Sequence, residues 1–312
     1  MRSQGLAVAA AVVIFVVNTS AVFAGVAYTV IELPGSPFAI NNAGQVCGQN
    51  FLYSNGTMTV LPGGENTSAY GFNNAGQVVG SSYNQAFLYS NGTMTAIGGT
   101  ISYAFGINDA GQVVGWYSNT SPESLKAFLY SGGVMTNLGA GVAYGINNAG
   151  QVVGQNGAGD ACIWSNGTMT DLGVSGKAIG INNSGQVAGQ NGAYAFLYGN
   201  GTMTYLSAGN AYAQGINNAG QVVGWSYNSP GYSAWLYSNG VMTNLNSLIS
   251  PTSGWTLEQA NDINDNGQIV GYGIGPDGNT DGFLLDPVPE PATMGLLAAG
   301  LSALVIRRHK RR

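Results

Sequence analysis

The chain has 312 residues, of which 50 are glycine, 45% are hydrophobic and only 7% are charged. This composition is too apolar for a disordered chain, and its glycines lack the three-residue period of collagen. Between Glu32 and Asp286 only two lysines oppose twelve acidic residues, a balance of −10. The chain therefore lacks the basic surface that a nucleic acid partner requires.

The first 24 residues predict a secretory signal peptide. Arg2 precedes an apolar run over residues 6–17, and the alanines at 21 and 24 suit cleavage after Ala24. The apolar run is shorter than a membrane-spanning helix. We therefore expect the mature chain to begin at residue 25.

One ten-residue phrase organises the chain from residue 39 to residue 271. Its clearest copy, Gly-Ile-Asn-Asn-Ala-Gly-Gln-Val-Val-Gly, occupies residues 145–154, and related copies begin at residues 39, 71, 106, 180, 215 and 262. A second phrase, typified by Ala-Phe-Leu-Tyr-Ser-Asn-Gly-Thr-Met-Thr at residues 86–95, follows the copies in full or in part. Repeats of about 35 residues indicate that each unit packs on its neighbours.

Each repeat predicts four short antiparallel strands. Asn-Asn-Ala-Gly suits the turn between the first and second strands, and Ser-Asn-Gly suits the hairpin between the third and fourth. The seventh repeat lacks a fourth strand, whereas residues 27–34 resemble the end of a repeat. The sequence therefore predicts an all-β fold for residues 25–287, a β-propeller of seven four-stranded blades closed by the N-terminal strand. A β-solenoid is the alternative.

Within each repeat, some positions predict the core. Phe87, Tyr89, Phe128 and Phe196 recur in register in the third strand. Cys47 and Cys162 replace apolar residues of their phrases, so we expect buried thiols rather than a disulfide.

The connections differ between the two faces of the ring. The two repeated turns share one face, and the connections of variable sequence share the other, which we call the varied face. Aromatic side chains there suit stacking on a sugar ring, with Asn and Ser as hydrogen-bonding neighbours; packing between blades is the other interpretation. The candidate ligand-binding residues are Tyr83, Trp116, Tyr117, Tyr194, Trp225, Tyr227 and Tyr232.

The chain ends in three parts: Pro289-Glu290-Pro291, an apolar run to residue 306, and an arginine-rich end. This order, over residues 288–312, resembles the PEP-CTERM sorting signal of Gram-negative bacteria. The resemblance implies recognition by an exosortase, removal of the tail, and delivery to the cell surface or extracellular matrix, usually beside exopolysaccharide (biofilm) production. The apolar run predicts a transmembrane helix that anchors the chain transiently in the inner membrane, with the basic end cytoplasmic.

The central phrases carry a second resemblance. Ala-Phe-Gly-Ile-Asn-Asp-Ala-Gly-Gln-Val-Val-Gly at residues 104–115 and Ala-Phe-Leu-Tyr at residues 127–130 are similar to the extracellular HAF-type repeats. The resemblance spans nearly all of residues 25–287. It implies an extracellular location and no established reaction, and the histidine of the His-Ala-Phe label is missing from every copy.

The body lacks the residues that most catalysis needs. The single histidine, His309, lies in the tail, and no arginine stands between residues 3 and 306, which excludes His-activated nucleophiles and His metal ligation in the body. Two carboxylates suffice for glycoside hydrolysis, and Glu123 and Asp160 stand in matching connections of neighbouring repeats. We predict a non-enzymatic protein without catalytic residues; a glycoside-active propeller is the alternative.

Calcium is the one cofactor that the sequence suggests. Residues 262–267 and 277–282 match the opening of a calcium loop, but Gly273 and Val288 stand where its twelfth-position glutamate belongs. Because the first segment is also an ordinary repeat turn, the metal candidates are Asp277, Asn279 and Asp281.

The Thr-Met-Thr segments would form an ice-binding ladder only in a solenoid, since a propeller separates them by more than the spacing between paired strands. The sequence thus favours an exported surface or matrix protein that contacts extracellular polysaccharide or serves a structural role. A glycoside-active enzyme and an ice-binding solenoid are the alternatives.

Overall fold

The computed structural model describes residues 27–119, 125–207 and 209–288. The predicted signal peptide with Ala24, the sorting residues Pro289, Glu290 and Pro291, the apolar run of the tail, and Glu123 all lie outside these ranges. Within them, no helix has the length and apolar character that crossing a membrane requires.

The described chain is almost entirely β-structure, with two short 3-10 helices, Gly64–Asn66 and Leu245–Leu248. Its strands form sheets arranged as a β-propeller, so the prediction of an all-β propeller is confirmed and the solenoid alternative is wrong. The strands of the sheet that joins both ends of the described chain are β1 (Tyr28–Leu33), β25 (Thr256–Ile263), β26 (Ile269–Ile274) and β27 (Thr280–Pro287).

Four further sheets have four strands each, taken in chain order. Their strands are β2 (Pro37–Ile40), β3 (Val46–Gly48), β4 (Phe51–Ser54) and β5 (Thr57–Val60); β6 (Thr67–Phe72), β7 (Val78–Ser82), β8 (Gln85–Ser90) and β9 (Thr93–Ala96); β17 (Lys177–Ile181), β18 (Val187–Asn191), β19 (Tyr194–Gly199) and β20 (Thr202–Tyr205); and β21 (Ala211–Ile216), β22 (Val222–Asn228), β23 (Gly231–Ser238) and β24 (Val241–Asn244).

The prediction of seven separate four-stranded blades is wrong. There are five separate four-stranded blades, and the third and fourth repeats share one seven-stranded sheet. Its strands are β10 (Ile101–Ile107), β11 (Val113–Ser118), β12 (Lys126–Ser131), β13 (Val134–Ile146), β14 (Val152–Asn156), β15 (Asp160–Ser165) and β16 (Thr168–Ser175).

The physical reason is the 13-residue strand β13, which ends one repeat and begins the next. Its first part pairs with β12 up to Ala140, and its second part pairs with β14 from Gly141 onward. The link between the two repeats contains no proline and no inserted loop. Gly139 and Gly141 have positive φ, 106° and 136°, and the register of pairing shifts at Gly139 as in a β-bulge, so pairing continues across the repeat boundary with a local irregularity.

The ring is closed by the N-terminal strand, as predicted. β1 pairs antiparallel with β27 from Tyr28 opposite Pro287 to Leu33 opposite Gly282. One further bond, from the backbone N–H of Val288 to the carbonyl oxygen of Ala27 (2.9 Å), follows the ladder. The last repeat therefore obtains its outer strand from the start of the described chain.

The core lies between neighbouring sheets. Phe87, Phe128 and Phe196 are at most 2% exposed, which confirms their prediction as core residues. Tyr89 is only half-buried and packs against the cluster that contains Phe87, so its prediction as a core residue is not confirmed. Cys47 and Cys162 are fully buried in two different apolar clusters. The glycine that ends each Gln-Val-Val-Gly segment serves this packing: at Gly80, a Cβ would collide with the carbonyl oxygen of Ser68 in the paired strand.

A closed circle of buried asparagines joins the repeats. At Asn147, Oδ1 accepts from the backbone N–H groups of Ala149 and Gln151, and Nδ2 donates to Gln151 Oε1 (2.8 Å) and to the carbonyl oxygen of Asn182 (3.1 Å) in the next repeat. The equivalent bond from each repeat to the next continues around the axis to its start. The seven residues of the circle are Asn41, Asn73, Asn108, Asn147, Asn182, Asn217 and Asn264.

Candidate functional site

The first strands of the repeats line a channel along the axis of the propeller. The channel encloses a cavity of about 430 Å³. The residue just before each repeated phrase varies, although its neighbours hardly change, and all seven line this cavity. They are Phe38, Tyr70, Phe105, Tyr144, Ile179, Gln214 and Asn261.

One half of the channel wall is aromatic. Neighbouring ring centroids are 5.4 Å apart between Phe38 and Tyr70, 5.4 Å between Tyr70 and Phe105, and 5.6 Å between Phe105 and Tyr144. These separations are typical of aromatic pairs in contact. Lys177 Nζ lies 5.7 Å from the centroid of the Tyr144 ring and extends the row by a cation–π contact.

The other half of the wall is polar. Asn261 Nδ2 donates to the carbonyl oxygen of Pro37 (2.7 Å), and Asp262 accepts from the backbone N–H groups of Ile40 (3.0 Å) and Ile263 (2.9 Å). Burial raises the pKa of Asp262 to about 7, although the two backbone bonds act in the opposite direction. The cavity therefore offers rings on one side and amide and carboxyl groups on the other.

A second circle of hydrogen bonds surrounds the axis on the face of the repeated turns. Each backbone N–H donates to the side-chain oxygen of the equivalent residue in the next repeat. Two members are aspartates, Asp109 and Asp265. Partial burial opposes their charged forms, but hydrogen bonds from neighbouring asparagines outweigh it and lower both pKa values. These carboxylates are thus satisfied within the protein.

On the varied face, two tryptophans stack on residues of the first strands. Trp116 lies on Tyr103 with centroids 4.9 Å apart, and Trp225 lies on Tyr212 with centroids 4.1 Å apart. Tyr232 meets the edge of Trp225 at 5.5 Å. Tyr103 in turn stacks on Phe105 of the channel wall, at 6.4 Å. The Trp116 pair therefore continues the aromatic half of the channel onto the varied face.

The other predicted ligand-binding residues divide among three environments. Tyr227 lies beside Tyr232 at 5.3 Å, and Tyr83, 69% exposed, lines a second cavity. Tyr117 packs on the buried Phe128, and Tyr194 contacts Tyr205 on the outer strand β20. Five of the seven predicted residues thus lie in or beside the aromatic groups just described, and Tyr117 and Tyr194 do not.

The predicted metal candidates lie in the turn between β26 and β27. Asp277 accepts from the backbone N–H (2.9 Å) and Nδ2 (2.6 Å) of Asn279. A Cβ on Gly275 would lie 3.2 Å from Asp281 Oδ2 and 3.4 Å from Asp277 Oδ1, so the two carboxylates face the same space above that glycine. Within the described ranges, no three His, Cys, Asp or Glu side chains gather as a metal site. Of the other calcium-like segment, Asn264 belongs to the buried asparagine circle.

Asp160 begins β15, and its backbone N–H donates to Asn156 Oδ1 (3.0 Å). Its proposed catalytic partner, Glu123, lies outside the described residues.

Sequence reasoning missed the channel wall. The signal was the variable residue just before each repeated phrase. This residue is aromatic in four successive repeats. It missed Asp262 as well, because that residue was assigned to a calcium-like pattern. The signal for Asp262 was that it stands at a position where five other repeats have glycine.

Comparison with known structures supports the fold. A puromycin-hydrolysing peptidase of Mycobacterium tuberculosis superposes with a TM-score of 0.50 over 82% of this chain, at 11% sequence identity. Because the match covers 53% of that peptidase, the chain spans about half of its length. At this identity the likeness shows the fold alone.

Comparison with curated proteins found no match. The tail does match a family model: residues 287–312 correspond to the PEP-CTERM protein-sorting motif. The resemblance of the central phrases to HAF-type repeats stays a prediction. The sorting motif identifies the chain as an exported, cell-envelope-associated protein that an exosortase processes.

Proposed function

We propose that this exported propeller is a non-enzymatic binding protein of the cell surface or extracellular matrix, and that its varied face contacts extracellular polysaccharide. The observation that carries the proposal is the continuous aromatic surface from Phe38 through Phe105 and Tyr103 to Trp116. Sugar rings present apolar faces that stack on such side chains, while their hydroxyl groups bond to amides.

The channel provides both kinds of contact. Its aromatic wall faces Gln214 and Asn261 across a cavity of about 430 Å³, a volume within the usual range of small-ligand pockets. The Trp225 and Tyr232 pair supplies a second platform on the varied face. Two separated platforms suit an extended polymer, because contacts to successive units of one chain add by avidity.

The test is equilibrium binding of residues 25–287, which include every described strand, to a panel of polysaccharides that contains the host matrix. We expect binding, and a loss of about tenfold in affinity for Trp116→Ala and for Trp225→Ala. Tyr205→Ala is the matched control, since Tyr205 is 51% exposed on the outer strand β20. Absence of binding to every polymer would leave a structural role.

Two further arms of the assay address the alternatives. Release of reducing ends from any bound polymer would replace this proposal with the glycoside-active propeller. Loss of binding in a chelator would assign calcium to the turn of Asp277, Asn279 and Asp281, a site that stays a prediction until then.

A further inference from the structure

A second cavity, of about 330 Å³, lies between the second and third repeats. Glu65, Tyr70, Tyr83, Asn84 and Tyr103 are among its lining residues. Tyr70 also belongs to the aromatic wall of the axial channel, so the cavity opens beside that channel on the varied face. The sequence assigned only Tyr83 to a site and gave no role to Glu65.

The walls of this cavity are held in place by defined contacts. The Tyr103 hydroxyl donates to Asn84 Oδ1 (2.5 Å), and the Tyr103 ring is stacked against Trp116. Tyr83 and Asn84 both have positive φ, 50° and 62°, in the turn between β7 and β8. All other non-glycine residues with positive φ in the described ranges are asparagines. A tyrosine in this conformation is unfavourable, and this one is 69% exposed.

Glu65 gives the cavity its charge. It lies in the short helix Gly64–Asn66, is exposed, and has no hydrogen-bond or ion-pair partner within the described part of the chain. Three tyrosines and this carboxylate line one cavity, a combination that suits a cation because ring faces and the carboxylate both attract positive charge.

The negative net charge of residues 27–287 also favours a cationic ligand. Twelve acidic residues and two lysines lie between residues 27 and 287, so the field repels anionic polymers and attracts cationic ones. We infer that the cavity of Glu65, Tyr70, Tyr83 and Tyr103 is a subsite for a protonated amino sugar. This inference rests on the proposed function and narrows its ligand class to polysaccharides that bear free amines.

The experiment compares glucosamine oligomers with N-acetylglucosamine oligomers of the same length, in binding to residues 25–287 at mildly acidic pH. We expect tighter binding of the free-amine oligomer and a loss of about fivefold for Glu65→Gln. Glu32→Gln is the matched control, because it removes the same charge from an exposed residue of the outer strand β1. Tyr83→Ala should weaken binding of the glucosamine oligomer and leave binding of the N-acetylglucosamine oligomer unchanged.

Equal affinity for the two oligomers, or equal effects of Glu65→Gln and Glu32→Gln, would overturn the inference. If a neutral polysaccharide still bound, and Trp116→Ala abolished that binding, the proposed function would hold although the amino-sugar subsite would be wrong. If no oligomer or polymer bound, both would fail.

Discussion

At the scale of single residues, Asp262 places a buried carboxyl group where the repeat otherwise has a small apolar residue. Other repeats have alanine or glycine at this position. Its Oδ2 accepts from Ile40 in the first repeat, and a Cβ on Gly215 would lie 2.8 Å from its Oδ1. The glycine of the sixth repeat therefore leaves the space that this carboxyl group occupies.

The raised pKa of Asp262 predicts a pH dependence of stability. Its pKa is about 7 in the folded protein and about 4 in an unfolded chain, so the folded protein binds the proton more tightly. The contribution of this group is fully present below about pH 4 and is lost as the pH rises to about 7. We expect the free energy of unfolding to fall across this window.

The measurement is urea unfolding across that pH range, for the wild type and Asp262→Ala. In Asp262→Ala, the free energy of unfolding should no longer fall by the amount that this carboxyl group contributes. Glu32→Ala removes an exposed carboxylate instead, and its free energy of unfolding should fall with pH as in the wild type. Identical pH profiles for the wild type and Asp262→Ala would show that this carboxyl group titrates normally.

At the scale of elements, the closing strand β1 contributes side chains to the core as well as backbone pairing. Leu33 is fully buried and packs with Ile40 and Phe51 of the first repeat and with Val270 and Leu284 of the last. The strand thus joins the ends of the ring through an apolar cluster.

This packing predicts a sharp contrast within one strand. Leu33→Ala should lower the free energy of unfolding by about 2–5 kcal/mol, because it opens a cavity in that cluster. Ile31→Ala should cost only about 1 kcal/mol, since Ile31 is 37% exposed and its removal opens no internal cavity. Urea unfolding of both variants measures the difference, and equal losses would mean that the closing strand adds little beyond its backbone bonds.

Much of this element structure was predictable, because each repeated phrase carries its own turn signals. The Asn-Gly hairpins and the missing fourth strand of the last repeat located the strands and the closure by β1. The fusion through β13 was not predictable, since glycines with positive φ, such as Gly139 and Gly141, occur in turns as well as in the irregular stretch of strand that they form here. The alternation of side chains along a strand also did not reveal that Tyr70 and Phe105 face a channel rather than a neighbouring blade.

At the scale of the whole molecule, hydrogen bonds cross every repeat boundary, including that from Asn264 to Asn41. No repeat is therefore terminal, unlike the end repeats of a linear array, which are stabilised from one side only. Opening any one boundary removes contacts from two repeats at once.

We therefore expect a single cooperative unfolding transition. Tryptophan fluorescence and far-ultraviolet circular dichroism should give coincident urea curves, because Trp164, Trp235 and Trp255 report on different repeats. Single-tryptophan variants would assign each signal. Separate midpoints for these reporters would show that the repeats unfold as in a linear array.

The bond between Val288 and Ala27 also fixes where the described chain leaves the propeller. β27 ends on the face of the repeated turns, where Gln268 Nε2 donates to Asp286 Oδ1 (2.9 Å), and residue 288 leads from there into the sorting motif. The aromatic opening of the channel lies on the opposite face. The sorting motif therefore begins on one face of the propeller and the aromatic opening lies on the other, so a protein bound to the motif would leave that opening uncovered.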